Sequence, residues 1–243
     1  MSNDSLFDLT GKVAVVTGGG DGIGKTSCEI LAASGAAVVV SDISLEKAQG
    51  VADGIVAAGG KSAAVVCNVL NSDDLTHLID FAVDTFGTVN ILVNNAGIGG
   101  GGRENPFKID REYVERIYAI NVFAPWQLCK LAAPHMEKSG YGSVINITSM
   151  SSINNSPSMA IYGSSKAALN HLASNLAFDY GPMGIRINNV GPGATCTRAL
   201  ATVLTPEIEA KMLAHTPIHR LGEVADIAGA VLYFAAPISA WVS

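Results

Sequence analysis

Tyr162 and Lys166 stand four residues apart in Tyr162-Gly163-Ser164-Ser165-Lys166, a spacing that stacks both side chains on one face of a helix. An ammonium then sits beside a phenol. A free tyrosine keeps its proton up to a pKa of about 10, and bringing that to about 7 means favouring the phenolate by roughly 4 kcal/mol. A fixed neighbouring cation acts in that direction, so the pair is expected to carry protons. Ser149 precedes the same helix across a loop, at the end of the apolar run Gly142 to Thr148. A serine hydroxyl at a strand end and a tyrosine hydroxyl at a helix start are expected to converge on one carbonyl oxygen.

The elements that must position these groups follow from periodicity. Short β-branched or apolar runs at Lys12–Thr17, Ala36–Ser41, Ser62–Cys67, Val89–Val93, Gly142–Thr148 and Ile185–Val190 read as buried strands. Helical patterns fall between them at Ile23–Ser34, Leu45–Ala58, Ser72–Phe86, about Asp110–Lys138 and Ala160–Tyr180, with a last helix at Val224–Ala235. Continuous apolar strands alternating with helices imply parallel strands covered on both faces. The expected fold class is α/β, a single-domain doubly wound (Rossmann) parallel sheet with helices on both faces, spanning residues 1–243. The polar, Pro-punctuated stretch of about 191–222 is expected to hold one short helix, near Pro206–His215, and to act as a lid with Ile208, Met212 and Leu213 on one apolar face.

Composition narrows the class of function. Of 243 residues, 49% are hydrophobic and 15% charged, which predicts extensive burial, some of it between subunits. A net charge of -6 with no basic run excludes the electrostatic footprint of a nucleic-acid binder. Cys28, Cys67, Cys129 and Cys196 form no Cys-x-x-Cys pair and are read as buried free thiols in a reducing compartment. Met1 to Thr10, with Asp4 and Asp8, lacks a signal-peptide pattern, and no apolar run approaches the ~18 residues of a membrane span. The protein is therefore expected to be cytoplasmic, with no nucleic-acid or membrane partner. No metal is expected: His215 and His219 flank Pro217 without accompanying carboxylate or Cys ligands.

Between the first strand and first helix lies Thr17-Gly18-Gly19-Gly20-Asp21-Gly22-Ile23-Gly24, the setting a phosphate-cradling turn requires. Glycines admit a pyrophosphate to the backbone, and the following helix N-terminus offers unpaired N–H groups. Asp42, 18 residues beyond Gly24 at the end of the second strand, can accept from the adenosine ribose hydroxyls. Its charge repels a 2'-phosphate, and Asp21 adds a second negative group, so NAD is expected over NADP. Asn94-Asn95-Ala96-Gly97 closes the fourth strand where a doubly wound sheet binds ligand. Gly99 to Gly102 then leaves side-chain-free space above a cofactor ring.

Taken together, Thr17 to Gly24, Asn94 to Gly97, Asn121, Ser149, Tyr162-x-x-x-Lys166 and Pro192-Gly193 resemble the short-chain dehydrogenase/reductase family, of classical type, over essentially the whole chain. That resemblance implies Tyr162 as general acid/base, Ser149 as the residue polarising the substrate oxygen, and Lys166 as the group that lowers the tyrosine pKa and binds the nicotinamide ribose. It implies that Asn121 holds a proton-relay water. Pro125 adds a local reason, because it lacks the N–H that would occupy the Asn121 carbonyl in a regular helix. The implied cofactor contacts are Gly18, Asp21, Gly22, Ile23, Gly24, Asp42, Asn68, Val69, Asn95, Ala96, Gly97, Tyr162, Lys166, Pro192, Gly193, Thr195 and Thr197; the implied substrate contacts are Ser149, Asn154 and Tyr162. Asn68-Val69 departs from the family's Asp-Val, whose aspartate accepts from the adenine amine; an amide oxygen can still accept. The family continues past a segment like Ser239 to Ser243 into a last strand and tail, which are expected to be lacking here.

Within the family, Thr148-Ser149-Met150, the four glycines, Ala177-Phe178-Asp179, Thr205 to Ile218 and Ser239 to Ser243 are similar to the bacterial 7α-hydroxysteroid dehydrogenases. This implies NAD-dependent oxidation of the 7α-hydroxyl of a bile acid, a large and mostly apolar alcohol, by a homotetramer. Ile153, Asn154 and Met159 near the serine suit such a substrate. Two alternatives stay open. One is another specificity, such as 3-oxoacyl-carrier-protein reductase, which Asp42 opposes because NADPH is expected there. The other is an NAD-binding sensor without turnover, which the four catalytic-type residues oppose.

Overall fold

Each central strand alternates its side chains between two separate apolar cores, and this alternation builds the molecule. A computed structural model describes residues 6–100, 102 and 104–243; Gly101 of the glycine loop and Asp4 of the N-terminal stretch lie outside the described residues. The strands are β1 (Val13–Thr17), β2 (Ala37–Asp42), β3 (Lys61–Val66), β4 (Ile91–Asn94), β5 (Gly142–Ile147) and β6 (Ile185–Val190). They form one parallel sheet in the order β3-β2-β1-β4-β5-β6. The helices are α1 (Gly22–Ala33), α2 (Leu45–Ala57), α3 (Ser72–Phe86), α4 (Arg111–Tyr118), α5 (Ala124–Ser139), α6 (Ala160–Tyr180), α7 (Arg198–Ala201), α8 (Pro206–Ala214) and α9 (Val224–Ala235).

Ala14, Val16, Val38, Val40, Ile91 and Val93 point to one face and pack on Cys28 and Leu31 of α1, Val51 and Ile55 of α2, and Val231 of α9. Their neighbours Val15, Val39, Leu92 and Val144 point to the other and pack on Leu75 and Leu78 of α3, and on Leu128 and Met136 of α5. Burying each large aliphatic side chain contributes about 1.5–3 kcal/mol, so a sheet apolar on both faces needs helices on both. β1 lies between β2 and β4, and the order reverses there, opening the crevice at the carboxyl ends of the strands where doubly wound sheets bind ligands.

Two elements differ from the periodic reading. The single helix expected over Asp110–Lys138 is broken by a π turn at Ala119–Phe123, in which Ala124 N–H bonds back to the Ala119 carbonyl. Pro125 enters the first turn of α5 and has no N–H to offer, so the ladder slips by one residue instead of continuing. The 191–222 segment holds two helices, not one: α7 is opened by Thr197, whose side chain accepts from Leu200 N–H. The base of this segment is pinned by Cys196 N–H to the Gly222 carbonyl (2.7 Å) and Gly222 N–H to the Ala194 carbonyl (2.9 Å). α8 contributes no buried residue, and Ile208, Met212 and Leu213 are half-buried, so this helix lies on the surface and outside both cores.

Candidate active site

Strand ends, glycine turns and the start of α6 bring the chemistry-bearing residues together. Ser149 follows β5 and opens a 3-10 turn, with its Oγ accepting from Ser151 N–H at 3.1 Å. Tyr162 lies in the first turn of α6 and Lys166 one turn on. Gly163 allows that approach, since a Cβ there would meet the Ser151 carbonyl at 2.8 Å. Burial pushes the Tyr162 phenol above its ordinary pKa, with a hydrogen bond from Ser149 acting the other way.

Lys166 is 4% exposed, and burial pulls its ammonium down to about 8. Its Nζ donates to the Ile147 carbonyl at 2.8 Å and stands 6.0 Å from the Tyr162 ring centroid. The ammonium was expected to bring the phenol down; in this structure desolvation dominates both groups, because each charged form is disfavoured away from water.

Asn121 is fully buried in the π turn. Its Nδ2 donates to the Ile98 carbonyl and to Ser165 Oγ, both at 3.0 Å, while its Oδ1 accepts from Ile98 N–H at 3.0 Å. The side chain thus clamps the β4 exit to α6. The backbone carbonyl of Asn121 receives no N–H from Pro125, which has none to give. Gly97 completes the clamp, since a Cβ there would lie 3.2 Å from both Asn121 Oδ1 and Lys166 Nζ.

Gly99 and Gly100, expected to leave side-chain-free space above a cofactor ring, lie against the Tyr162 ring. A Cβ on Gly99 would meet the Tyr162 ring at 3.0 Å and one on Gly100 at 3.4 Å, and both residues have positive φ.

The nucleotide side is held by bonds made among its own members. Asn95 Nδ2 donates to the Thr17 and Gly18 carbonyls (2.9 and 3.0 Å), and the N–H groups of Asn95 and Ala96 both donate to Thr17 Oγ1 at 3.1 Å. Asp42 accepts from Gly20 N–H at 3.1 Å through one oxygen and from Ser44 N–H at 3.0 Å through the other. Each carboxylate oxygen keeps a further lone pair, which fits a ribose diol. Gly24 tolerates no side chain, because a Cβ would fall 2.1 Å from the Gly18 carbonyl. Gly22, at φ +54°, faces open space bounded by Thr197, a cradle of the kind a phosphate fills. The N–H groups of Ile23 and Gly24 head α1, where no preceding turn supplies carbonyls. This donor set fits a dinucleotide.

Three expectations are refined. Asp21 does not add an uncompensated charge: it caps Gly22 N–H (2.8 Å) and pairs with Arg198 Nε at 3.3 Å and Lys47 Nζ at 3.8 Å, leaving Asp42 to discriminate against a 2'-phosphate. Asn68 Oδ1 accepts from Leu70 N–H at 3.1 Å, so only its remaining lone pair faces outward, with Val69 next to it in the same turn. Asn154 is exposed and lines a groove of about 400 Å³ with Ser151, Met159 and Gly163 that runs beside Ser149 and Tyr162 without including them. Pro192 accepts from Met150 N–H at 2.9 Å, Gly193 accepts from Thr195 Oγ1 at 3.3 Å, and Thr197 caps α7 and turns its methyl group toward Gly22, so this segment leaves β6 alongside Ser149 and the glycine turn. Sequence reasoning missed Glu104 altogether; its signal is the absence of a capping side chain at Met159, which opens α6.

Three of the cysteines are buried as expected, whereas Cys196 is exposed. Among the described residues, no helix is long and apolar enough to cross a membrane.

Comparison with known proteins agrees with this geometry. The family model described as "short chain dehydrogenase" matches residues 12–207. The chain is 47% identical to a 7alpha-hydroxysteroid dehydrogenase of Escherichia coli (strain K12), covering 100% of this chain and 94% of that protein. It is 38% identical to another from Clostridium sardiniense, covering 97% and 90%. A solved 7 alpha-hydroxysteroid dehydrogenase complexed with NADH and 7-oxo glycochenodeoxycholic acid superposes with a TM-score of 0.96 at 47% identity, covering 100% of this chain and 94% of that one. With the family model spanning the glycine turn through Glu207 and these relatives aligned over nearly the whole chain, the chain belongs to the short chain dehydrogenase family.

Proposed function

We propose that this protein is an NAD-dependent oxidoreductase that oxidises the 7α-hydroxyl of bile acids. The observation that carries the proposal is the likeness to a 7 alpha-hydroxysteroid dehydrogenase over the whole chain, lid included, rather than over the nucleotide half alone.

In this reading Ser149 donates a hydrogen bond to the substrate oxygen, and Tyr162, as phenolate, takes the hydroxyl proton at Oη. Gly99 and Gly100 hold the tyrosine ring in place, so little reorganisation is needed for the transfer. Lys166, buried and anchored on Ile147, presents its ammonium toward the ribose and passes the proton on toward a water held by the Asn121 carbonyl. NAD, when bound, supplies the hydride acceptor and a positively charged ring that favours the phenolate. Gly18, Asp21, Gly22, Ile23, Gly24, Asp42, Asn68, Val69, Asn95, Ala96, Gly97, Pro192, Gly193, Thr195 and Thr197 form the cofactor wall, several of them by shaping the backbone rather than by touching the cofactor. Asn154, with Ile153 and Met159, borders the substrate.

The assay is NADH formation with cholate, alongside its 7-epimer and a 7-deoxy bile acid. Activity confined to the 7α-hydroxyl is expected; equal activity on the 7-deoxy compound would remove the assignment. Replacing Asp42 with Ala is expected to lower the ratio of NAD to NADP efficiency by about 10- to 100-fold, since the charge that rejects a 2'-phosphate is gone. An unchanged ratio would assign cofactor choice elsewhere.

A homotetramer in the cytoplasm completes the reading. Phe123, Trp126 and Phe178 leave apolar surface exposed on the π turn, α5 and α6, and the free thiols suit a reducing compartment. A monomer mass by light scattering would remove the tetramer.

A further inference from the structure

α6 begins without a cap of its own. Met159 stands at its N-cap position and makes no side-chain bond to the first turn, although that turn carries Tyr162. Helix N-termini leave donors that must be satisfied, and a buried end without partners is costly. The partner comes from 57 residues earlier in the chain: Glu104 Oε2 accepts from Ile161 N–H at 2.7 Å. Its Oε1 accepts from Tyr162 N–H at 2.9 Å.

Glu104 is 7% exposed, an uncommon state for a carboxylate unless it is fully engaged. Its remaining bonds spread in two directions. Tyr113 of α4 donates its hydroxyl to Oε1 at 3.1 Å, and the Tyr113 phenol is pushed up by burial and then by the Glu104 charge. Glu104 N–H donates to the Ser158 carbonyl at 2.9 Å, and Ser158 stands at φ 57°, a left-handed conformation uncommon for serine. One side chain therefore joins the end of the glycine loop to the helix bearing Tyr162 and Lys166, and to the helix that leads into Asn121. The placement also suits the charge, since an anion is favoured at a helix N-terminus and its hydrogen bonds to backbone N–H are of the stronger, charge-assisted kind.

We propose that Glu104 is a positioning residue for the proposed reaction: it caps the catalytic helix from outside and sets where the Tyr162 hydroxyl stands relative to Ser149. The inference rests on the reading of Tyr162 as proton carrier, but its structural half can be tested without any substrate.

Two variants and two readouts decide it. Glu104→Ala removes both acceptors, whereas Glu104→Gln keeps one oxygen and turns an amide N–H₂ toward the other donor. Amide hydrogen exchange at Ile161 and Tyr162 is expected to speed up about tenfold in the Ala variant and less in the Gln variant. With cholate, kcat is expected to fall about 10- to 100-fold in the Ala variant and to be partly rescued in the Gln variant, while KM for NAD stays within about twofold. Unchanged exchange in both variants would overturn the cap. Faster exchange with unchanged kcat, or equal losses in kcat and NAD affinity, would overturn the positioning role. If the unaltered protein oxidises no 7α-hydroxyl, the proposed substrate falls and the exchange result still judges the cap.

Discussion

Tyr162→Phe is expected to fold, to bind NADH as the unaltered protein does, and to oxidise cholate about 10²- to 10⁴-fold more slowly, the range that general acid–base groups contribute. The substitution removes one oxygen and keeps the ring, so the contacts with Gly99 and Gly100, where a Cβ would meet that ring at 3.0 and 3.4 Å, survive. Ser149 remains to polarise the substrate, yet no group is left at the helix start to take the proton. NADH fluorescence titration and initial-rate assays separate binding from turnover. A kcat within tenfold of the unaltered enzyme would mean that the proton leaves by another route.

Lys166→Met is expected to abolish useful turnover while making the protein slightly more stable at neutral pH. The ammonium is buried, and burial lowers its pKa from 10.5 to about 8. The native state therefore holds this charge at a cost of about 3 kcal/mol at pH 7. Removing it also strips the Ile147 carbonyl of its 2.8 Å donor, which costs about 1–3 kcal/mol, leaving a net gain of about 0–2 kcal/mol. The pH dependence follows from linkage. Between the folded value of about 8 and the unfolded value of 10.5, the unfolded chain binds more protons than the native one, so native stability rises with pH through that window. The penalty is fully present below about pH 8 and fades toward pH 10.5. The melting-temperature advantage of the Met variant should accordingly shrink across that range, and an advantage independent of pH would contradict it.

What periodicity encodes locally was readable, and what depends on distant partners was not. α3, α6, β6 and α9 occupy the spans their patterns indicate, and the other strands shift by one or two residues, because apolar period and caps act within a few residues. The π turn at Ala119–Phe123 is not legible because one extra residue in a turn leaves no mark that a 3.6-residue period can distinguish from a regular helix. α7 spans Arg198–Ala201, too short to show any period. At the site, residue types announced Ser149, Tyr162, Lys166 and the glycine turn. They did not reveal that Asn95 spends its amide on backbone and Asn121 on Ile98 and Ser165, that Asp21 meets Arg198, or that Glu104 crosses to α6. Those pairings join residues far apart in sequence, and no local rule ranks one buried amide or carboxylate above another.

The Asn95 amide, bonded to two successive carbonyls of the glycine turn, has a consequence for how such a protein can change over generations. It couples the switch-point strands β1 and β4 into one inelastic platform, and Asn121 extends that platform to α6. By contrast, α8 of the covering segment sends no side chain into either core. The molecule thus divides into a platform, where losing one amide breaks several backbone bonds at once, and a helix whose substitutions leave both cores untouched. Substitutions in that helix are therefore expected to change the surface it presents at little cost to the fold.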